Sequence, residues 1–496
     1  MKQYKALEKQ FRRIGAVNGA LAMLGWDQST MMPEGGAKAR SEQIATLNVL
    51  RHEWITDPKL GDLLGEAEAQ SAKLDNWQRA NLREMRRQWN HATALTPKLV
   101  EARSKATMAC EMVWRKARRD DDYRAFAKAF EPVLALTREV AAAKSAAFGL
   151  AAYDALLDEY EPGGRSATID KLFADLAGFL PDFIDRALAK QDKRPAPLPL
   201  QGPFAVEAQR EVGLKLMKAL GFDFNRGRLD VSLHPFTGGV PDDVRITTRY
   251  SEDDFTKSLM GVLHETGHAL YELGLPKAWR DQPVGEARGM VLHESQSLLV
   301  EMQVCRGAEF LQFAAPLLRK AFKGSGEAWS EANLQRIYAR VKPDLIRVDA
   351  DEVTYPAHVM LRYRLEQAML LDDLRLDDLP YAWNDGMQTL LGVDVPDYAQ
   401  GCMQDIHWAV GSIGYFPTYT LGALSAAQLF AAAKAQDAAI LPGIAKGDFK
   451  PLLRWLRTHV HSQGALLTTD ELLRQATGKP LGTAAFKAHL KARYLN

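Results

Sequence analysis

The pentapeptide His264-Glu265-Thr266-Gly267-His268 carries the residue types of a metal-assisted hydrolytic centre. Residues four apart on a helix lie about 40° apart around its axis, so both imidazoles project from one face, one turn apart. That reach suits two zinc–nitrogen bonds of about 2.1 Å. Glu265 stands about 60° round from His268, on the flank of the same face, where it touches a water at the metal's open position rather than the metal. With the pKa of that water lowered to about 7 by zinc, Glu265 can take its proton as general base. Among 11 histidines in 496 residues, chance pairs at this spacing should number about 0.2, and an acid beside the first cuts that to about 0.03. The bland alternative is two core histidines beside a surface glutamate.

A catalytic zinc needs three protein ligands and an open position. The next helical stretch, from about Glu286 through Leu317, contains Met290-Val291-Leu292-His293-Glu294-Ser295-Gln296. Glu294 stands among apolar neighbours, where a carboxylate is costly unless it is paired or binds metal. Glu301, seven residues on, shares its helix face and competes for the same role. The small residues Gly285, Ala287 and Gly289 would let this stretch approach the metal helix closely.

These side chains need elements to hold them. Ser251 followed by Asp254 resembles a capping box, which predicts a helix from Glu252. Phe255, Leu259, Val262, Leu263 and Leu270 form its apolar stripe, and Gly274 with Pro276 ends it. Before it, Arg228 to Leu233 and Asp243 to Tyr250 have the alternation of short strands, with Gly238, Gly239 and Pro241 between them, which predicts an antiparallel β-hairpin. From Tyr4 to about Ala189 the chain reads as successive amphipathic helices. The run Asp120-Asp121-Asp122 and the basic cluster Arg115, Lys116, Arg118 and Arg119 read as solvated helix ends. Pro195, Pro197, Pro199 and Pro203 cannot continue a helix and mark the main organisational break. The expected fold class is mainly α, with one small antiparallel sheet beside the metal helix. Residues 1–190 would form an N-terminal helical part and 205–496 the catalytic part, or both one continuous domain.

The bulk composition sets further bounds. Lys plus Arg (63) nearly cancel Asp plus Glu (62), so the chain as a whole has no pull on nucleic acid or an anionic membrane. No uninterrupted apolar stretch follows the charged first 25 residues, so neither a signal peptide nor a membrane helix is expected. The three cysteines, Cys110, Cys305 and Cys402, are odd in number and widely spaced, which points to a reducing, cytoplasmic setting. Cys305 and Cys402 read as buried small apolar residues.

At this point a family resemblance is visible. His234-Pro235-Phe236 resembles the HPF motif of the Taq-type thermostable carboxypeptidases, peptidase family M32, and Asp243-Val244-Arg245-Ile246-Thr247 resembles their DxRxT. The pentapeptide and the His293-Glu294-Ser295-Gln296 block follow in order. Ile346-Arg347-Val348-Asp349-Ala350-Asp351 resembles IRxxAD, and Gly401-Cys402-Met403-Gln404-Asp405-Ile406-His407-Trp408 resembles GxxQDxHW. Trp26-Asp27-Gln28 and Leu157-Asp158-Glu159-Tyr160-Glu161-Pro162-Gly163 extend the likeness to nearly the whole chain.

The resemblance implies a large helical fold with a deep substrate groove, one wall of it from the N-terminal part, in a homodimer. It implies a metallocarboxypeptidase that releases single C-terminal residues from peptides with a free C-terminus and with broad preference. It also implies Glu294, rather than Glu301, as the third ligand beside His264 and His268. Zinc suits two histidines and one glutamate, with cobalt or manganese as substitutes.

Recognition of a free carboxylate calls for a fixed cation, and arginine's fork suits it. Arg347 is the first candidate and Arg245 the second, although Asp349 and Asp351 could make Arg347 a structural ion pair. The developing oxyanion needs donors, for which His407 and Tyr415 are the candidates, with Tyr419 third. His234 would line the groove or hold the hairpin. The rival reading is a groove-type zinc oligopeptidase or dipeptidyl carboxypeptidase. A non-catalytic scaffold with a structural metal is a second rival, and Glu265 argues against it.

Overall fold

The computed structural model describes residues 2–232 and 234–496. The fold is mainly α, with one three-stranded sheet. The N-terminal half forms the successive helices that its periodicity predicts, among them Lys2–Thr30, Pro97–Asp120, Tyr123–Phe148 and Ser166–Gln191. The aspartate run is the joint between two of them. Asp121 ends one helix at φ 54°, and the Asp122 side chain caps the next by accepting from the Ala125 N–H, as short polar side chains do at helix ends. The proline stretch is irregular and leads into the Val206–Leu220 helix. Among the described residues no single helix is long and apolar enough to cross a membrane.

The chain forms two compact units, each assembled from three segments. The first is Met1–Ala92, Ala196–Tyr338 and Ser425–Leu481; the second is Thr93–Pro195, Ala339–Leu424 and Gly482–Asn496.

In the first unit the sheet differs from the predicted hairpin. Strand β1 (Gly227–Val231) lies parallel to β3 (Asp243–Thr248), and β2 (Thr237–Val240) runs antiparallel to β3 on its other side. The sheet is therefore mixed, in the order β1-β3-β2. Gly238 and Gly239, read as turn residues, are part of β2, and the two-residue turn is Pro241-Asp242. This extra reversal makes the flanking strands parallel. Leu233, the predicted end of the first strand, lies outside the described residues.

The inner face of β3, Val244 and Ile246, packs with Leu229 of β1 and with Val262, Ala269 and Leu273 of the helix Phe255–Gly274, together with Met217 and Phe222. Each fully buried aliphatic side chain contributes about 1.5–3 kcal/mol, so the sheet anchors one side of that helix firmly. The helix begins at Phe255, three residues later than predicted. Asp254 rather than Ser251 is its cap, accepting from the Thr256 N–H at 2.8 Å. All five residues of the predicted stripe are buried, and the helix stops at Gly274.

The stretch expected as one helix from 286 to 317 is broken. A helix covers Met290–Leu298, a π-helical segment covers Leu299–Cys305, and a new helix begins at Ala308. Gly285 and Gly289 precede the first helix rather than packing it. The close approach is made by Gly267, where a Cβ would stand 2.4 Å from the Gln296 carbonyl oxygen and 2.6 Å from the Ser297 Cα.

Candidate active site

The helix Phe255–Gly274 presents His264 and His268 from one face, their ring centroids 5.0 Å apart. Glu294, buried on the Met290–Leu298 helix, meets them. Its Oε2 lies 3.4 Å from His268 Nε2 and 4.0 Å from His264 Nε2. Tetrahedral ligands about 2.1 Å from one ion sit about 3.4 Å from each other. The ligand atoms of the three residues lie within 4.8 Å of one another, the sole such group of His, Cys, Asp and Glu found among the described residues.

The outward-facing nitrogens are also held, as metal-binding histidines require. His264 Nδ1 lies 2.9 Å from Glu301 Oε2, and His268 Nδ1 lies 3.1 Å from the His293 carbonyl oxygen. With a metal bound, both Nδ1 atoms would carry the proton and both Nε2 lone pairs would be free to hold it. Glu301 is placed behind His264, where it also accepts from Arg306. In an unbroken α-helix, residues seven apart return to within about 20° of one face. Here Glu301 lies in the π segment, whose turns are wider than those of an α-helix, and it meets His264 from the Nδ1 side.

The electrostatics favour a bound cation. Burial lowers the affinity of His264 for a proton, yet the Glu301 hydrogen bond and the charges of Glu294, Glu301 and Glu265 outweigh it and raise the imidazole to about 10. Burial raises Glu301, but Arg306 and His264 bring it down to about 2. Burial also pushes His268 down, with His293 and His264 adding to the effect. Three buried carboxylates around two imidazole lone pairs match the donor set and charge that a divalent metal needs.

Glu265, only 7% exposed, is fixed by a residue that sequence reasoning missed. The Thr237 hydroxyl on β2 lies 2.7 Å from Glu265 Oε2 and 3.0 Å from its carbonyl oxygen. Its only signal in the sequence is its place directly after His234-Pro235-Phe236. His234 itself is exposed, in the loop between β1 and β2. Thr247 pins that loop: its hydroxyl accepts from the Phe236 N–H at 3.0 Å, and its own N–H donates to the Phe236 carbonyl at 2.9 Å. Arg245 spends its fork on Asp243, at 2.7 and 3.0 Å, and lies 4.5 Å over the Trp26 ring.

The remaining predicted residues gather in the second unit. Arg347 is buried, and its partner is Asp405 of the last motif, at 2.8 and 3.1 Å, rather than Asp349 or Asp351. Asp351 instead accepts the N–H groups of Val353, Thr354 and Lys342. Arg362, which lies outside the sequence motifs, donates to the other oxygen of Asp405 at 2.6 Å. Burial raises Asp405, but Arg362 and Arg347 hold it well below the usual carboxylate range. Tyr419 faces the Arg347 guanidinium at 4.9 Å and His407 Nε2 at 3.2 Å. The Tyr415 ring stands 5.6 Å from that of His407. Burial, with the positive charge of Arg347 and Arg362, pushes His407 down to about 4, so it is neutral near pH 7. Glu366 holds the segment carrying these groups by accepting from Trp408 Nε1 and the Gly414 N–H, both at 3.1 Å.

Residues 6–494 match the family described as Carboxypeptidase Taq (M32) metallopeptidase. The chain belongs to this family. It is 41% identical to thermostable carboxypeptidase 1 of Thermus thermophilus over 497 residues, covering 98% of this chain and 97% of that one. Among solved structures, Trypanosoma cruzi metallocarboxypeptidase 1 superposes with a TM-score of 0.98 at 40% identity, each chain covered in full. The M32 carboxypeptidase of Deinococcus radiodurans R1 gives 0.94 at 34% identity, covering 100% of this chain and 99% of that one. The protein is a metallocarboxypeptidase, and its substrates are peptides. A divalent metal is therefore implied, and His264, His268 and Glu294 fit it in donor type, spacing and charge.

Proposed function

We propose that this metallocarboxypeptidase uses zinc, held by His264, His268 and Glu294, to release single C-terminal residues with broad side-chain preference. The observation that carries the reading is the convergence of both Nε2 atoms and the Glu294 carboxylate, with Glu265 held beside them by Thr237. Bound there, zinc would polarise the scissile carbonyl and acidify the attacking water. Glu265 takes the proton from that water and passes it to the leaving amine. The Thr237 hydroxyl orients its carboxylate.

Arg347 is the proposed anchor for the substrate's C-terminal carboxylate. Two buried guanidiniums, Arg347 and Arg362, share the single carboxylate of Asp405, which leaves positive charge to attract an anion. Arg245 has a carboxylate to itself and serves better to brace β3. His407, neutral near pH 7, suits donation of an N–H to the developing oxyanion; its Nδ1 is buried with no partner among the described residues. Tyr415 and Tyr419 flank it as further donors. A cytoplasmic location and a homodimer complete the proposal; the free, buried cysteines suit a reducing compartment.

The test is cleavage of an N-blocked peptide with a free C-terminus, followed by mass spectrometry with and without chelator. Stepwise loss of single residues, abolished by chelator and restored by zinc, is the expected result. Release of dipeptides or internal fragments, or cleavage of the C-terminally amidated peptide, would move the protein to the oligopeptidase reading. Restoration by manganese or cobalt but not zinc would overturn the choice of metal.

A further inference from the structure

The two histidines of the metal group are backed differently. His264 hands its Nδ1 proton straight to the Glu301 carboxylate. His268 faces a second histidine: His293 Nδ1 lies 2.7 Å from His268 Nδ1, and His293 Nε2 lies 2.9 Å from Glu272 Oε1. With a metal held at His268 Nε2, one arrangement of protons satisfies these distances, the His268 Nδ1 proton being shared between the His293 ring and the His293 carbonyl oxygen at 3.1 Å. His268 Nε2 faces Glu294 and must keep its lone pair, so its proton is on Nδ1. Two nitrogens 2.7 Å apart attract only if one lacks hydrogen, so His293 Nδ1 is the acceptor. The His293 proton then sits on Nε2, where a carboxylate oxygen receives it.

We propose that Glu272 and His293 form a two-residue positioning unit that fixes the tautomer and ring orientation of His268 and thereby sets the affinity of the metal site. The proposal rests on the reading of His268 as a metal ligand. Glu272 is four residues beyond His268 on the same helix, so the chain of bonds leaves that helix at His268 and returns to it at Glu272. It thus staples the Phe255–Gly274 helix to the helix that carries Glu294. Tyr271 keeps the His293 ring in place, with centroids 5.5 Å apart, while its hydroxyl accepts from the Arg288 N–H. Glu272 also borders an open cavity of about 630 Å3, beside Gly15, Gly19 and Glu286. Glu272 is itself partly exposed, so its replacement empties no sealed pocket.

The unit is tested by zinc affinity, measured by competition with a chromophoric chelator, and by melting of the metal-free proteins. The parent and His268→Ala come first. If the parent binds no zinc, or His268→Ala binds as the parent does, the ligand assignment fails and not the positioning unit. Loss of neighbours of this kind costs about 10–100-fold in metal affinity. Glu272→Ala should weaken zinc binding by about tenfold and His293→Phe by about 10–100-fold, while the double variant binds no more weakly than His293→Phe alone. His293→Gln, whose amide can both accept and donate, should recover part of the loss. At saturating zinc, Glu272→Ala should regain peptidase activity close to the parent's. Affinity within twofold of the parent in His293→Phe, or an undiminished Glu272→Ala effect in that background, would overturn the proposal. Should His293→Phe not fold, Glu272→Ala decides alone, and affinity within twofold of the parent refutes the unit.

Discussion

Gly267, the fourth residue of the metal pentapeptide, sets the distance between two helices, and replacing it with alanine probes that distance directly. The new Cβ would lie 2.4 Å from the Gln296 carbonyl oxygen and 2.6 Å from the Ser297 Cα, both backbone atoms of the segment carrying Glu294. Ordinary contact begins near 3.4 Å, so the helices must part by about 1 Å. Overpacking of this kind costs about 1–3 kcal/mol, against a gain of up to about 1 kcal/mol from alanine's helix propensity. The parting also carries Glu294 away from two histidines whose Nε2 atoms lie 3.4 and 4.0 Å from it. A shift of about 1 Å is large beside bonds of about 2.1 Å, so metal affinity should fall by more than tenfold. Gly261 supplies the control: it lies on the same helix, and a Cβ there would meet nothing within 4 Å. Thermal melting of the metal-free proteins and zinc titration of each should show Gly267→Ala destabilised and weak in metal, and Gly261→Ala unchanged or slightly more stable. Equal melting and equal affinity in the two variants would refute the reasoning.

Three further outcomes are expected. Glu265→Gln should keep stoichiometric zinc, measured by metal analysis, while turnover falls by about 10²–10⁴-fold; unchanged turnover removes Glu265 as the base. Thr237→Val removes the hydroxyl donated to Glu265, so kcat should drop by about tenfold at similar KM, in line with about 1.5–3 kcal/mol as a ceiling for a hydrogen bond to a charged group; an unchanged kcat shows that the hydroxyl is not needed. His358, fully buried, is pushed down to about 3 by burial and by the charges of Arg362 and Arg347. Between about pH 6.5 and 3 the unfolded chain therefore binds a proton there that the folded state does not, and stability falls as pH falls through that window. His358→Leu should flatten the pH profile of unfolding free energy by up to about 1.4 kcal/mol per pH unit within it, and a parallel profile would show that this histidine does not contribute.

The features legible in the residues themselves are local. The four-residue spacing of His264 and His268, the apolar stripe beneath them and the stop at Gly274 all follow from the geometry of one helix, which adjacent residues dictate. The acidic joint at Asp121 and Asp122 was legible for the same reason, since short polar side chains compete for backbone N–H groups within a few residues. The ordered motifs extended this to the family and to the carboxylate of Glu294. The remaining pairings depended on packing. Glu294 reaches the Nε2 side of both histidines while Glu301, in a π-helical segment that periodicity does not register, reaches His264 Nδ1. The mixed sheet depended on a four-residue strand disguised by two glycines. Thr237 meets Glu265 across 28 residues and Arg347 meets Asp405 across 58. Such partners are brought together by packing, where the apolar face of one element chooses its neighbour and polar side chains take the pairings that burial then compels.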